Sequence, residues 1–187
     1  MRIAVVDSGV NPSHPHIVRV DDGASFCGDA THLDYLGHGT AVMAAIQEKA
    51  PHAEYAAVRI FHRALRTDLA TLEAALEWSI DWVRDGGFIN LSLGVRHPGA
   101  LSDLVARATS RGIALVTAVG GVGSILADAD ATLARDRYEV RDGIYFAAPF
   151  PRPIPGLPPE RNLSGVSFAV ANVTGLLARE ALRRSRA

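Results

Sequence analysis

Short apolar runs alternate along this chain with segments that have the periodicity of helices. The apolar runs occupy residues 3–6, 55–60, 88–93 and 113–119, and the helical segments occupy about 40–49, 68–85 and 101–110. A strand–helix–strand series of this kind predicts a parallel sheet with right-handed crossovers and helices on both faces. The sequence therefore predicts an α/β fold in which a ligand crevice lies at the carboxyl ends of the strands.

The remainder of the chain is less regular. Residues 122–142 have no clean period of two or 3.6, so no element is assigned to them. Residues 144–147 predict a short strand, and the six prolines between Pro149 and Pro159 predict an extended loop. A closing helix is predicted over residues 168–184, with arginines at its end where the helix dipole favours positive charge.

Length and composition limit the class of protein. A chain of 187 residues, of which 48% are apolar, suits one compact domain over residues 1–187. The net charge of -1 suggests no nucleic-acid partner, and no segment suggests a membrane partner. The residues before Asp7 lack the basic and apolar pattern of an export signal, which predicts a cytoplasmic location. Cys27 is the only cysteine, so no internal disulfide is possible.

Three short motifs place an aspartate, a histidine and a serine where their side chains can enter such a crevice. Asp7 follows the first apolar run in Val-Val-Asp-Ser-Gly, His38 opens a helix in Gly-His-Gly-Thr, and Ser167 opens another in Gly-Val-Ser-Phe-Ala. Taken singly, each has an ordinary structural explanation, because Asp7 or His38 can belong to a turn and Ser167 can be a helix N-cap. Taken together, they are the residue types of a hydrolytic nucleophile with its base and its orienting carboxylate.

These motifs resemble the three signature blocks of the subtilase family of serine peptidases, and the order Asp, His, Ser is that of subtilisin. The resemblance implies the subtilisin-like three-layer fold, with helices on both faces of a mostly parallel sheet. It also implies a serine endopeptidase that acts on an extended peptide or protein substrate through an acyl-enzyme. In that chemistry His38 takes the proton of Ser167 and returns it to the leaving amine, while Asp7 fixes the imidazole tautomer.

Two further blocks extend the resemblance to a substrate-binding region. Residues 89–94 are similar to the strand on which subtilases pair an extended substrate, and residues 118–123 are similar to a block that usually reads Ala-Ala-Gly-Asn, one further residue, and Gly. The residues implied as substrate-binding are Ser92, Leu93, Gly94, Ala118, Val119 and Gly120. The oxyanion-hole region is implied to comprise Gly121 and the backbone N–H of Ser167.

The sequence also departs from the family. Gly121 stands where the family keeps an oxyanion-hole asparagine, and loss of such a donor costs about 10²–10³ in rate. A water or a side chain near Ser124 could supply the missing donor. Val166 replaces a threonine, residues 171–172 replace Pro-His, and the chain is shortened mostly between residues 123 and 143.

Two functions therefore stay open at the level of sequence. The first is a minimal peptidase, which could be dedicated to one peptide or precursor and for which the complete set of Asp7, His38 and Ser167 argues. The second is a weakly active or inactive subtilase fold that binds peptides or acts as a scaffold, for which Gly121 argues.

No metal site or cofactor is expected. His14, His16 and His32 lie near Asp29 and Asp34 in the sequence, but their spacing is not that of a tight metal site. Subtilases often bind structural calcium, yet no oxygen-rich loop stands out in this sequence, so calcium binding stays open.

Overall fold

A computed structural model describes residues 1–93 and 98–185, which are built around one eight-stranded sheet. The strands are β1 (Arg2–Asp7), β2 (Asp22–Ser25), β3 (Glu54–Arg59), β4 (Gly87–Leu91), β5 (Ile113–Ala118), β6 (Ile125–Ala129), β7 (Tyr138–Arg141) and β8 (Ile144–Ala147). The α-helices are α1 (His38–Gln47), α2 (Leu69–Val83), α3 (Ser102–Ser110) and α4 (Val166–Arg184).

The sheet is mostly parallel, as predicted. Its strand order is β2-β3-β1-β4-β5-β6-β8-β7, and each neighbouring pair is parallel except β7 and β8. From β1 the chain crosses by α1 to β3 on one side, and from β3 it crosses by α2 to β4 on the other side of β1. The carboxyl ends of β1 and β4 therefore meet where the strand order reverses, which is where open α/β sheets form their crevice.

Helices cover both faces of the sheet because successive side chains of each strand point to opposite faces. Ile3 and Val5 of β1 pack in the layer that contains α1 and α4. Ala4 and Val6 pack in the layer that contains α2 and α3. This arrangement confirms the predicted α/β fold with helices on both faces. Within residues 1–93 and 98–185, no helix is long and apolar enough to span a membrane.

The structure adds three strands to those predicted. β6 and β7 lie inside the segment 122–142, for which the sequence predicts no element, and β2 is a short edge strand that pairs with β3 alone. The predicted helices are all present, and α2 begins where the side chain of Asp68 accepts the N–H of Thr71 at 2.8 Å.

Candidate active site

β1 and α1 bring Asp7 and His38 together, as the motifs predict. Nδ1 of His38 lies 2.7 Å from Oδ1 of Asp7. The same carboxylate oxygen accepts the backbone N–H of Ser8 at 2.7 Å. The side chain of Asp7 is 1% exposed and that of His38 is 15% exposed. A buried carboxylate therefore holds a histidine that solvent can still reach.

The start of α1 is fixed by Asp34, a residue whose functional importance the sequence does not reveal. Its Oδ1 accepts the N–H of Gly37 at 2.8 Å, and its Oδ2 accepts both the N–H of Thr40 at 2.9 Å and the hydroxyl of Thr40 at 2.6 Å. Ser8 joins this group, because its hydroxyl donates to Oδ1 of Asp34 at 2.9 Å. Asp34 thus caps the helix that begins at His38 and ties it to the end of β1.

α1 also approaches the end of β1 closely at Gly39. The N–H of Gly39 donates to Oγ of Ser8 at 2.9 Å. A Cβ atom on Gly39 would lie 2.2 Å from the carbonyl oxygen of Gly9 and 3.2 Å from Oδ1 of Asp7. The hydrogen bond between Asp7 and His38 therefore depends on the absence of a side chain at residue 39.

α4 places Ser167 in the same region. Ser167 lies in the first turn of α4 and is partly exposed, while the next residue, Phe168, is buried. The rings of Phe168 and His38 have centroids 5.5 Å apart. The first-turn N–H groups of a helix have no partner within the helix, so the start of α4 presents donors and the positive end of the helix dipole.

Hydrogen bonds connect Ser167 to the end of β4. The hydroxyl of Ser167 donates to the carbonyl oxygen of Ser92 at 3.3 Å, and the hydroxyl of Ser92 lies 3.2 Å from the carbonyl oxygen of Ser167 and 3.0 Å from Oδ1 of Asn90. Asn90 is fully buried and donates to the hydroxyl of Thr174 in α4 at 2.9 Å. Asn90 is another residue that sequence reasoning misses, because its only signal is an amide within an apolar run.

The predicted substrate-binding residues fall at the expected edge of the sheet. Ser92 and Leu93 directly follow β4, and residues 118–120 lie at the end of β5 and just after it. Ala118 is 8% exposed and Val119 is 45% exposed. Gly94, predicted to bind substrate, lies outside the described residues.

The environment of Gly121 leaves little room for a side chain. A Cβ atom on Gly121 would lie 2.4 Å from Oγ1 of Thr117 and 3.0 Å from the carbonyl oxygen of Ala118. Thr117 is fully buried, so it has little room to move. Ser124, a candidate replacement donor from the sequence, accepts the N–H of Leu115 at 3.0 Å, which directs its oxygen to β5.

Comparison with known proteins agrees with this arrangement. The subtilase family model, Peptidase_S8, matches residues 1–136, which include Asp7 and His38. The chain belongs to the subtilase family. An alkaline protease of Alkalihalobacillus alcalophilus is 32% identical over 196 residues, a match that covers 94% of this chain and 50% of that protein.

Two further relatives are also proteases with about one third of their aligned residues identical to this chain. Subtilisin Savinase of Lederbergia lenta is 32% identical over 94% of this chain and 71% of its own length, and a thermostable alkaline protease of Halalkalibacterium halodurans is 36% identical over 65% of this chain and 36% of its own. This subtilase thus spans about half or less of two of these three relatives.

Two solved structures share the fold at 20% sequence identity. A cold adapted subtilisin-like serine proteinase superposes with a TM-score of 0.76 over 97% of this chain and 75% of that chain. The Prenylagaramide maturation protease PagA superposes with a TM-score of 0.71 over 100% of this chain and 76% of that chain. These similarities confirm the subtilisin-like fold.

The pKa of His38 in this subtilase is raised. Burial by itself would lower it, but the hydrogen bond with Asp7 and the negative charges of Asp7 and Asp34 outweigh that effect. A histidine must be neutral to act as a general base. The rate of any reaction that uses His38 as the base therefore increases as the pH is raised through the pKa of His38. We expect the acid limb of the pH profile to lie above the ordinary histidine value of 6.5.

Replacement of Asp34 by asparagine should move that acid limb to lower pH. The change removes one of the charges that stabilise protonated His38, so the neutral base forms at a lower pH. The measurement is the pH profile of the rate at which a serine-directed probe labels the protein. Asp103→Asn on the exposed surface of α3 is the matched control. An unchanged acid limb in folded Asp34→Asn protein would show that Asp34 does not influence His38.

Gly121→Asn is expected to lower the melting temperature, because the new Cβ overlaps with Thr117. Thr117→Ala removes that obstacle, so the double variant should recover stability relative to Gly121→Asn alone. If the added amide reaches the oxyanion, turnover of the double variant should rise by up to about 10²-fold. A double-mutant cycle of melting temperature and rate measures both effects. A stable and faster single variant Gly121→Asn would contradict the steric argument.

A buried arginine anchors the segment that leads to Asp34. The side chain of Arg59, at the end of β3, is fully buried and forms an ion pair with Asp29. It also donates to the carbonyl oxygen of Thr31 at 2.9 Å, and its guanidinium carbon lies 4.7 Å from the ring centroid of Tyr35. The sequence signal for this role is a charged residue at the end of the apolar run 55–60.

Metal binding has no support in the part of the chain that the structure describes. In residues 1–93 and 98–185, no group of three or more His, Cys, Asp or Glu side chains could hold a metal ion. His14 and His16 pack edge to face with ring centroids 5.1 Å apart. Independence from a cofactor stays a prediction.

Proposed function

We propose that this chain is a serine endopeptidase that cleaves peptide bonds through an acyl-enzyme, with Asp7, His38 and Ser167 as its catalytic triad. The observation that carries the proposal is that His38 contacts both Asp7, at the end of β1, and the first turn of α4, which contains Ser167. Its Nδ1 lies 2.7 Å from Asp7, and Phe168, the neighbour of Ser167, packs 5.5 Å from its ring. The family membership supports the same chemistry.

Each member of the triad has a role that follows from its surroundings. Asp7 accepts the Nδ1–H of His38, which leaves Nε2 free to take a proton. The hydroxyl of Ser167 donates to the carbonyl oxygen of Ser92 in this structure. Catalytic hydrogen bonds often tighten only when substrate binds, and the proposal requires this hydroxyl to turn to Nε2 of His38 at that point. The N–H of Ser167 and the dipole of α4 favour the negative charge of the tetrahedral intermediate.

The proposed substrate is a peptide or protein segment in extended conformation. It would pair with the backbone at Ser92 and Leu93 and lie against residues 118–120, where Val119 offers an exposed apolar side chain. The similarity to PagA, which is described as a maturation protease, supports a substrate that is one dedicated precursor. We further propose that residues 1–187 act as a single catalytic domain without a cofactor, a nucleic acid or a membrane.

A second candidate function is peptide binding without efficient cleavage. Two observations favour it: the hydroxyl of Ser167 donates to a backbone carbonyl and not to His38, and Gly121 supplies no oxyanion-hole side chain. In this case the same groove at the ends of β4 and β5 would hold an extended peptide without an activated serine.

A fluorophosphonate probe separates the two functions. A peptidase should be labelled at Ser167, because only an activated serine attacks such a probe readily. Ser167→Ala should lose the label, whereas Ser164→Ala, an exposed serine of the same segment, should keep it. Folded wild-type protein that stays unlabelled from mildly acid to alkaline pH would support the binding module.

A further inference from the structure

A pocket with two arginines lies beside the candidate active site. It has a volume of about 300 Å³ and lies between the first half of α1 and the proline-rich segment that precedes α4. We call it the arginine pocket and define it by Arg152, Arg161, His14, His16 and Asp34 among its lining residues. Its apolar lining includes Ile154, Leu157 and Leu163.

The two arginines in the lining give the arginine pocket its positive charge. Among residues 1–93 and 98–185, neither Arg152 nor Arg161 has a carboxylate within ion-pair distance of 4.0 Å. Burial, and then the nearby charges of Arg152 and His14, lower the pKa of His16, so His16 is neutral at neutral pH.

The nearby carboxylates have other partners. Asp34 accepts five hydrogen bonds, all from groups at the end of β1 and the start of α1, so both of its carboxylate oxygens have donors other than the two arginines. Glu48, the other carboxylate close enough to affect His16, forms ion pairs with Lys49 and Arg135. The arginine pocket is therefore lined by two arginines that form no ion pair within residues 1–93 and 98–185, together with an apolar wall.

The position of the arginine pocket relative to the triad indicates which part of a substrate would reach it. Its lining includes Gly37 and Thr40, which lie one residue before and two residues after His38, and Leu163, which lies four residues before Ser167. Its lining residues come from neither β4 nor β5, where the acyl part of the substrate is proposed to lie. In the proposed reaction His38 gives its proton to the leaving amine, so the first residue after the cut would lie beside His38, on the side where the arginine pocket lies.

We propose that the arginine pocket binds a carboxylate within the first three residues after the cut, and so selects substrates with an acidic residue there. This inference rests on the proposed peptidase function. Arginine pairs well with carboxylates because its donors match the two carboxylate oxygens, and such charge-assisted bonds are about twice as strong as neutral ones. The carboxylate can come from an Asp or Glu side chain or from the C-terminus of a short substrate.

A peptide library tests the proposal without knowledge of the natural substrate. Cut sites in a mixed library are identified by mass spectrometry for the wild-type protein and for the double variant Arg152→Gln/Arg161→Gln. We expect Asp and Glu to be enriched about tenfold over Asn and Gln at one of the three positions after the cut, and the enrichment to vanish in the double variant. Arg183→Gln, an exposed arginine near the end of α4, should keep it. Cleavage without acid preference, or a preference that survives the double variant, overturns the proposal.

A binding measurement covers the case in which nothing is cut. Ser167→Ala protein is equilibrated with two hexapeptide pools that differ only in Glu or Gln, both amidated at the C-terminus, and with a third Gln pool that has a free C-terminus. If the Glu pool binds more tightly than the amidated Gln pool, and the difference disappears when Arg152 and Arg161 are replaced, the pocket binds a side-chain carboxylate. If the Gln pool with a free C-terminus binds more tightly than the amidated Gln pool, the pocket binds a C-terminal carboxylate. Equal binding of all three pools overturns the proposal that the arginine pocket binds a carboxylate. Selective binding by Ser167→Ala protein, combined with no cleavage of the mixed library by the wild-type protein, overturns the peptidase function alone.

Discussion

Replacement of Asp7 by alanine is expected to slow the reaction of Ser167 by a factor on the order of 10⁴, the size of the loss seen when the triad aspartate of a subtilisin is removed. The reason is local. One oxygen of Asp7 accepts both the ring N–H of His38 and the backbone N–H of Ser8, each at 2.7 Å. Without that oxygen, neither the tautomer of His38 nor its cationic form is stabilised.

Asp7→Asn provides the matched comparison. Its amide oxygen can take the place of the shared carboxylate oxygen and keep both hydrogen bonds, because the N–H of Ser8 requires an acceptor at that position. Asp7→Asn should therefore be faster than Asp7→Ala but slower than the wild type, since the negative charge that raises the pKa of His38 is gone.

The measurement is the second-order rate constant of fluorophosphonate labelling for the three proteins, with circular dichroism to establish that each is folded. Equal rates for Asp7→Asn and Asp7→Ala would mean that the amide turns its NH₂ group to His38 and imposes the wrong tautomer. A wild-type rate in either variant would show that Asp7 is only a turn residue, which is the ordinary structural explanation of its motif.

Sequence reasoning predicts the positions of Asp7, His38 and Ser167 because each of these residues sits in a short motif at the end of a strand or the start of a helix. The ends of such elements are set by residues close in the chain. Asp7 ends β1, His38 opens α1 and Ser167 lies in the first turn of α4, each as the motifs predict. The central strands are also predictable, since strands buried on both faces appear as continuous apolar runs.

The strands that the sequence does not predict give no comparable signal. β2 contains Asp22, Gly23, Ala24 and Ser25 and exists because it pairs with β3, not because of its own composition. β6 carries Asp128 between small and apolar residues and is half-buried on both sides, so it shows neither alternation nor a continuous apolar run. Whether such segments form strands depends on their pairing with neighbouring strands, and the pattern of a single sequence does not show that pairing.

The supporting residues of the site are hidden for a related reason. Asp34 acts on α1 across a turn, and Arg59 reaches from β3 to the segment before α1. The reason for glycine at residue 121 is likewise found in Thr117, whose side chain occupies the space that a Cβ atom would need. The steric relation between Gly121 and Thr117 becomes visible only when the distance between the two residues is known.

The two glycines that flank His38 provide a test of the packing on which the site depends. Gly39→Ala should lower the free energy of unfolding by about 1–3 kcal/mol, because the new Cβ would lie 2.2 Å from the backbone oxygen of Gly9 and must push α1 away from β1. That movement separates His38 from Asp7, and a displacement of about 1 Å in a catalytic group can cost about 10²-fold in rate. Gly39→Ala is therefore expected to lose both stability and labelling.

Gly37→Ala is the control, because it changes the other neighbour of His38 without a steric conflict. Gly37 has a φ of 81°, and no atom lies within 4 Å of the position that a Cβ would occupy, so alanine there costs only the strain of a left-handed backbone, about 1–2 kcal/mol. Its labelling rate should stay near that of the wild type even where its stability is similar to that of Gly39→Ala. Thermal denaturation and labelling, measured on both variants, separate a general loss of stability from a displaced histidine. Equal labelling rates in the two variants would contradict the idea that close packing of residue 39 on Gly9 positions His38.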